Sequence, residues 1–424
     1  MGKVWNFVQE YSLLLICGAV VALIWANTSP EAYHHFVEYE LVKDSFIGAL
    51  HDDGSGHVTR SITLHWLVND LLMAFFFALA GKEVWEAVAL KQGSLRGKKA
   101  LTPLIATAGG MLGPVSVYLL GALMVGKMAA LANGWAIPTA TDIAFSYLVG
   151  RMVFGAGHPA VGFLLLLAIA DDAAGLIILA VFYPQGDLAP VWLLLSVAAG
   201  VGVYVLANWL PRRLDRGNEA RPVSTFFRKT ISFWPYAIAG ALSWYGFYKA
   251  GIHPALGLLP IVPAIPHADV DYGIFADAEK HLTDLLNHIE HMLKRPVEVI
   301  LLGFGLMNAG VEFSAIGDAT WLVLAGLIVG KPFGILLFGW IGARVMGFGL
   351  PVGMKTSDLF VLGCVAAIGF TVSLFVAAVA FPPGDIQDAA KMGALMSFGA
   401  AGISLIMGKV FKSNRMAEAA QPAE

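Results

Sequence analysis

Charge is what this sequence has least of. Only 13% of its 424 residues are Asp, Glu, Lys or Arg, about half the share found in soluble globular chains. The scarcity runs along the whole length, which excludes both a water-facing domain and a soluble domain with a single anchor. Cysteine is scarce too: Cys17 and Cys364 are the two, each inside an apolar run. That excludes a disulfide framework and leaves both as packing residues. The net charge of −3 is small and points to no nucleic-acid partner. Nor is there a Walker-type glycine loop, so no nucleotide is expected.

What remains is apolar: 58% of residues, with 47 Gly and 26 Phe, the composition of closely packed helices filled in with aromatic rings. Runs near the roughly 20 residues needed to cross a bilayer number twelve, at 11–28, 63–84, 100–125, 134–150, 159–182, 190–210, 231–249, 253–266, 297–312, 320–344, 357–380 and 389–411. The first follows Lys3 like a signal peptide. It is longer than a typical signal core, and Trp25-Ala-Asn-Thr-Ser29 offers no clear small-residue cleavage site, so it reads as a retained span. The expected fold is therefore an all-α polytopic membrane protein, 1–424 forming one membrane domain.

Basic residues set the orientation. With both termini cytoplasmic, the inner segments collect Lys82, Lys91, Arg96, Lys98 and Lys99, then Arg212, Arg213, Arg216, Arg221, Arg228 and Lys229, and further clusters to Lys409, Lys412 and Arg415. The outer segments carry only Lys43, Arg60, Lys127, Lys249 and Lys391. Between the first two spans, 45–64 holds an Asp-Gly-Ser-Gly turn flanked by partly alternating apolar residues. It reads equally as a periplasmic β-hairpin, with an edge able to pair with another subunit, or as a plain polar loop. The connector 267–295 carries His267, His281, His288 and His291 among acids. Histidine titrates near neutrality, so this segment is either a cytoplasmic pH sensor or a solvated amphipathic connector.

Setting aside charges in the terminal turn of a span, five lie inside the apolar runs: Asp70, Asp142, Asp171, Asp172 and Lys331. A carboxylate at the centre of a spanning helix costs about 2.5–3.5 kcal/mol. Two side by side, Asp171 and Asp172, therefore point to carriage of a cation, a proton or both. Neighbouring helical residues point about 100° apart, so one aspartate can face Lys331 while the other faces a cavity. Carboxylates this close titrate as a coupled pair; a cation favours their ionised form and protons their neutral form. Lys331 also fits a purely structural ion pair, and Asp70 fits a solvated cap.

Asp142 follows Pro138, Thr139 and Thr141, poor helix residues that interrupt the fourth span. Gly369 and Thr371 interrupt the eleventh in the same way. Paired interrupted helices are the sequence pointer to inverted-topology repeats, here 100–182 and 320–411, a reading that rests on hydropathy alone.

Taken in order, Asn69-Asp70, Pro138-Thr-Ala-Thr-Asp-Ile-Ala-Phe145, Asp171-Asp172, Asn308-Ala-Gly-Val311, Gly330-Lys-Pro332 and Gly369-Phe-Thr371 resemble the NhaA family of bacterial sodium/proton antiporters. The resemblance implies twelve transmembrane helices with two crossing discontinuous helices, spans 4 and 11, in a homodimer of the inner membrane. It implies Na+ or Li+ and protons as ligands, bound at Asp171 and Asp172. Thr141 and Asp142 would be the unwound-helix residues, Lys331 the partner of the first aspartate, and Asp70 an acid of the outer funnel. Glu83, His253, Glu290 and His291 match positions tied to pH response. No cofactor is implied. The chain departs from the pattern at Trp85-Glu-Ala87, where basic and acidic residues are usual. It departs again at Lys294-Arg-Pro296, where a histidine is expected before the proline.

Three rival functions fit less well. A sodium-coupled symporter of organic solutes needs a further polar pocket. An intramembrane aspartyl protease needs its acids on separate helices, one within Gly-x-Gly-Asp; the nearest match, Ile316-Gly-Asp318, lies in an outer loop. In a cation channel, Lys331 would repel the permeant ion.

Overall fold

The computed structural model describes residues 13–52, 58–90, 93–155, 157–216, 222–267, 285–411 and 413. Its main elements in chain order are α1 (Leu13–Thr28), β1 (Glu40–Val42), β2 (Ala49–Asp52) and β3 (Val58–Thr63). Next come α2 (Leu64–Ala89), α3 (Lys98–Met124), α4 (Ile143–Phe154), α5 (Pro159–Phe182) and α6 (Pro190–Leu214). The rest are α7 (Trp234–Ala250), α8 (Leu285–Asn308), α9 (Asp318–Val345), α10 (Thr356–Ala366), α11 (Phe370–Ala380) and α12 (Asp385–Val410).

Among the described residues six helices, α2, α3, α5, α6, α9 and α12, are long and apolar enough to cross a bilayer, and seven if α10 and α11 count as one bent span. The other expected spans take other forms. The expected eighth, 253–266, is two tight 3-10 stretches, Pro254–Leu256 and Leu259–Ala264, because its four prolines withhold amide donors. The ninth begins earlier than expected, at Leu285, and carries Pro296 inside it.

The chain divides into two compact units. Of the described residues, the first comprises those within 13–34, 94–175 and 305–413; the second comprises those within 35–93 and 176–304. Within the first, α3 and α9 meet backbone to backbone. A Cβ on Gly113 would strike the carbonyl oxygen of Gly330, and one on Gly334 would strike that of Gly109. Glycines four apart share a helix face, and only hydrogen side chains permit this approach. That contact fixes the face of α9 from which Lys331 projects.

The second unit carries a sheet of order β1-β3-β2. β2 and β3 pair antiparallel, with Ala49 opposite Ser61 and Leu50 opposite Arg60. The turn residues 53–57 lie outside the described set; the third strand, β1, has no counterpart in the sequence reading. Tyr248 of α7 ties the sheet down: its hydroxyl accepts from Arg60 Nη1 at 2.5 Å and from Gly48 N at 3.2 Å. Gly48 has φ of 130°, and a Cβ there would run into the Ser61 carbonyl, so no other residue fits.

Candidate functional site: two broken helices around buried charges

Ahead of α4 the chain runs as a tight 3-10 stretch, Ala132–Thr139, then straightens: Ala140 is extended and Asp142 lies at φ −78°, ψ 106°. Pro138 and the β-branched pair Thr139 and Thr141 are what stop the helix. At the second break α10 and α11 are bent by 55° across Ala367–Gly369.

The two breaks satisfy each other. Asp142 N donates to Ile368 O at 2.7 Å, Thr141 Oγ to Ala366 O at 3.1 Å, and Ser146 Oγ to Val365 O at 3.1 Å. In return Ser373 Oγ donates to Ile137 O at 2.7 Å. Broken helices free carbonyls that must find donors when water is excluded; here side-chain hydroxyls supply them. Thr141, Ser146 and Ser373 are all buried.

Charges follow the helix ends. Asp142 caps two N-termini at once. Its carboxylate accepts from Phe145 N of α4 at 3.2 Å, from Thr371 N of α11 at 3.2 Å, and from the Thr371 hydroxyl. An anion suits the positive end of a helix dipole. Lys331 takes the opposite post: its Nζ donates to Thr139 O, at the C-terminal end of the 3-10 stretch, at 2.5 Å. It follows directly on a wide turn at Gly326–Gly330 in α9, the kind of bulge that recurs at functional positions.

The lysine's ion-pair partner is Asp171, Nζ to Oδ2 at 3.1 Å. Asp171 Oδ2 also accepts from Thr141 Oγ at 2.7 Å, while Oδ1 is buried with no hydrogen-bond partner. One oxygen is thus held by the protein and the other left with its lone pairs unused. Asp172, the next residue, is half-buried. The arrangement is thus two adjacent carboxylates, one counter-charge and one carboxylate oxygen left uncommitted.

The remaining residues singled out by sequence lie in the second unit. Asp70 is buried within a wide turn, Leu67–Leu72, of α2. The cap of that helix is Thr63, whose side chain accepts from Trp66 N, so Asp70 is not a solvated cap. His253 is buried and caps the stretch after it, Nδ1 accepting from Ala255 N at 3.3 Å. Glu83 and Glu290 belong to a cluster that the sequence did not reveal. Lys82, counted there among the basic residues of the inner segments, is 2% exposed. Its ammonium lies 2.6 Å from Glu86 and 2.9 Å from Glu290, with Glu83 at 3.5 Å. His291 is exposed. Of the histidine-rich connector, 268–284 with His281 lies outside the described residues.

Thr371, Ser146 and Ser373 were also missed as partners of the site. Helical spacing pairs residues three or four apart, and these bonds join residues more than two hundred apart in sequence, as the 229-residue separation of Thr371 and Asp142 illustrates.

Apolar helices enclosing ionisable side chains, held where two helices break, define an integral membrane protein of the transporter kind. The family described as Na+/H+ antiporter 1 matches residues 4–410. The chain belongs to that family. It is 70% identical over 412 residues to a Na(+)/H(+) antiporter NhaA of Jannaschia sp., covering 97% of this chain and 98% of the relative. A Desulfitobacterium hafniense protein of the same name is 48% identical over 415 residues, 96% of each chain. One from Geobacter sulfurreducens is 44% identical over 421 residues, covering 98% of this chain and all of the relative. Proteins so named are transporters and not enzymes.

Proposed function

We propose that this chain is an electrogenic antiporter that expels Na+ or Li+ across the bacterial inner membrane while protons enter, a pair for each cation. The observation that carries the reading is Asp171: one carboxylate oxygen bound by Lys331 and Thr141, the other buried without a partner, and Asp172 beside it. Cation and protons contend for these carboxylates, so binding one expels the other. Net inward positive charge lets the membrane potential drive export, worth about 2.3 kcal/mol per charge per 100 mV.

Alternating access follows from rocking the inverted repeats 100–182 and 320–411 around a fixed site. The reciprocal hydrogen bonds between the two breaks support a pair of crossing discontinuous helices; the proposed topology sets these among twelve transmembrane crossings, and the excess of basic residues in the inner segments supports cytoplasmic termini. Asp70 serves as an acid of the outer funnel; Glu83, His253, Glu290 and His291 set the response to pH, with the 267–295 connector. The β2 edge offers main-chain groups to a second copy, giving a homodimer. The printed names of the relatives, Na(+)/H(+) antiporter, support sodium and protons as cargo.

Everted vesicles carrying a pH gradient test this. Added Na+ is expected to collapse the gradient with wild type and not with Asp172→Asn. Equal collapse with Asp172→Asn, or none with either, would remove the reading.

A further inference from the structure

We propose that Thr141 is a positioning residue that relays the charge state of Asp171 to the end of α10, so that filling the site resets the bend between α10 and α11. The inference rests on the reading of Asp171 as an ion-carrying group.

It begins with a count of protons. Thr141 Oγ lies within hydrogen-bond distance of two acceptors, Asp171 Oδ2 at 2.7 Å and Ala366 O at 3.1 Å. A hydroxyl has one proton to donate. Lys331, by contrast, has three, enough for both Thr139 O and Asp171. The threonine must therefore choose, and it is buried at 1% exposure.

Charge decides the choice. An ionised carboxylate is roughly twice as strong an acceptor as a neutral carbonyl, so the O–H points to Asp171 while that group is negative. A proton or a cation on Asp171 cancels the advantage, and a protonated carboxyl can itself donate to Thr141 Oγ. The O–H then turns to Ala366 O. That carbonyl belongs to the last residue of α10, among those left without a helical donor, directly before the bend. Emptying the site loosens this tether; filling it tightens it.

Among the described residues, Thr141 is the side chain that bonds both Asp171 and the end of α10. The charges around it are Asp171, Lys331 and Asp172, and from its own segment Asp142, which is occupied by Phe145 and Thr371. The next carbonyl, Val365 O, is held by Ser146 Oγ at 3.1 Å, a bond with no titratable partner. Ser146 is therefore an internal control: its removal loosens the same helix end without erasing a charge dependence.

Hydrogen–deuterium exchange of the purified full chain, read by mass spectrometry on the peptide spanning 364–371, tests this. In wild type and Thr141→Ser, saturating Na+ is expected to slow exchange there by about fivefold. Thr141→Val should show no such change, and Ser146→Ala should exchange faster throughout while keeping it. The same comparison between alkaline and acidic buffer, corrected for intrinsic rates, reads neutralisation by protons, so a variant that no longer holds sodium is still informative. A sodium- or proton-dependent change of wild-type size in Thr141→Val would overturn the relay, as would its loss in Thr141→Ser. Sodium-triggered proton release, measured in parallel, tells the two levels apart. If wild type releases none, the transport reading fails and the relay with it; if wild type releases protons and Thr141→Val keeps the exchange change, only the relay fails.

Discussion

Lys331 Nζ lies 3.1 Å from Asp171 Oδ2, and neither side chain exposes any surface. Each charge is tolerable at that depth only because the other is there, and because Thr139 O and Thr141 Oγ satisfy what remains. Removing one partner strands the other, which for buried pairs costs about 3–5 kcal/mol. Lys331→Ala is thus expected to lower the thermal unfolding midpoint in detergent sharply. Adding Asp171→Asn to it should restore part of the loss, since a neutral amide needs no counter-charge. A midpoint unchanged in Lys331→Ala would show that the pair does not hold the fold.

Asp142 joins two helices by capping both. An N-cap is worth about 0.5–2 kcal/mol, so Asp142→Ala, which strips both, should destabilise by about 2 kcal/mol or more. Thr371→Val removes only the hydroxyl on the α11 side and should lose about half as much. Denaturant or thermal titration of the two variants measures the ratio. Equal losses would mean that neither backbone cap, on α4 or on α11, contributes.

In the second unit, Lys82 faces Glu86, Glu290 and Glu83. Replacing it with Met keeps most of the stem and removes the buried positive charge that these carboxylates, two of them buried, share. Lys82→Met is expected to lose about 3 kcal/mol or more, and Lys82→Met with Glu86→Gln and Glu290→Gln to regain much of it. If the single variant is as stable as wild type, the cluster is not an ion-paired centre.

His158 sits just ahead of α5, stacked on Phe154 with ring centroids 5.4 Å apart, its Nδ1 accepting from Ala160 N at 3.2 Å. Burial pushes its pKa below the ordinary value, with Asp358 pulling up and Lys355 pushing down. A proton on Nδ1 would also break the bond to Ala160. A lowered pKa in a base means that the unfolded chain binds the proton first. The stability it contributes is present above the unfolded value of about 6.5 and is lost as pH falls below it. Wild type should therefore lose more thermal stability on acidification through that range than His158→Asn, which keeps an acceptor at the cap and cannot titrate. Parallel declines would contradict this.

Much of this arrangement is legible in the sequence alone. Scarce charge and long apolar runs gave the long spans, and the cost of burying carboxylates singled out Asp171 and Asp172. Pro138, Thr139 and Gly369 marked the two breaks, because backbone preference is a local property that sequence carries directly. Three things did not show. Lys82 looked like one more inner basic residue, since a lysine's burial depends on acids of another helix, here Glu290 of α8. The bonds from Thr371 to Asp142 and from Ser373 to Ile137 join distant segments, and no periodicity reports them. Asp70 looked like a cap because polar residues often end helices; the wide turn that buries it is set by packing around Trp244, whose Nε1 donates to Asp70 O at 2.9 Å.

Proton release by the purified protein on addition of Na+, at fixed pH in weak buffer, bears most directly on the proposal that Asp171 and Asp172 are one shared seat. Wild type should release protons saturably, with an apparent sodium affinity that weakens as the pH is lowered, and Asp171→Asn with Asp172→Asn should release none. Equal release from the double variant, or a sodium affinity indifferent to pH, would contradict competition for those two carboxylates.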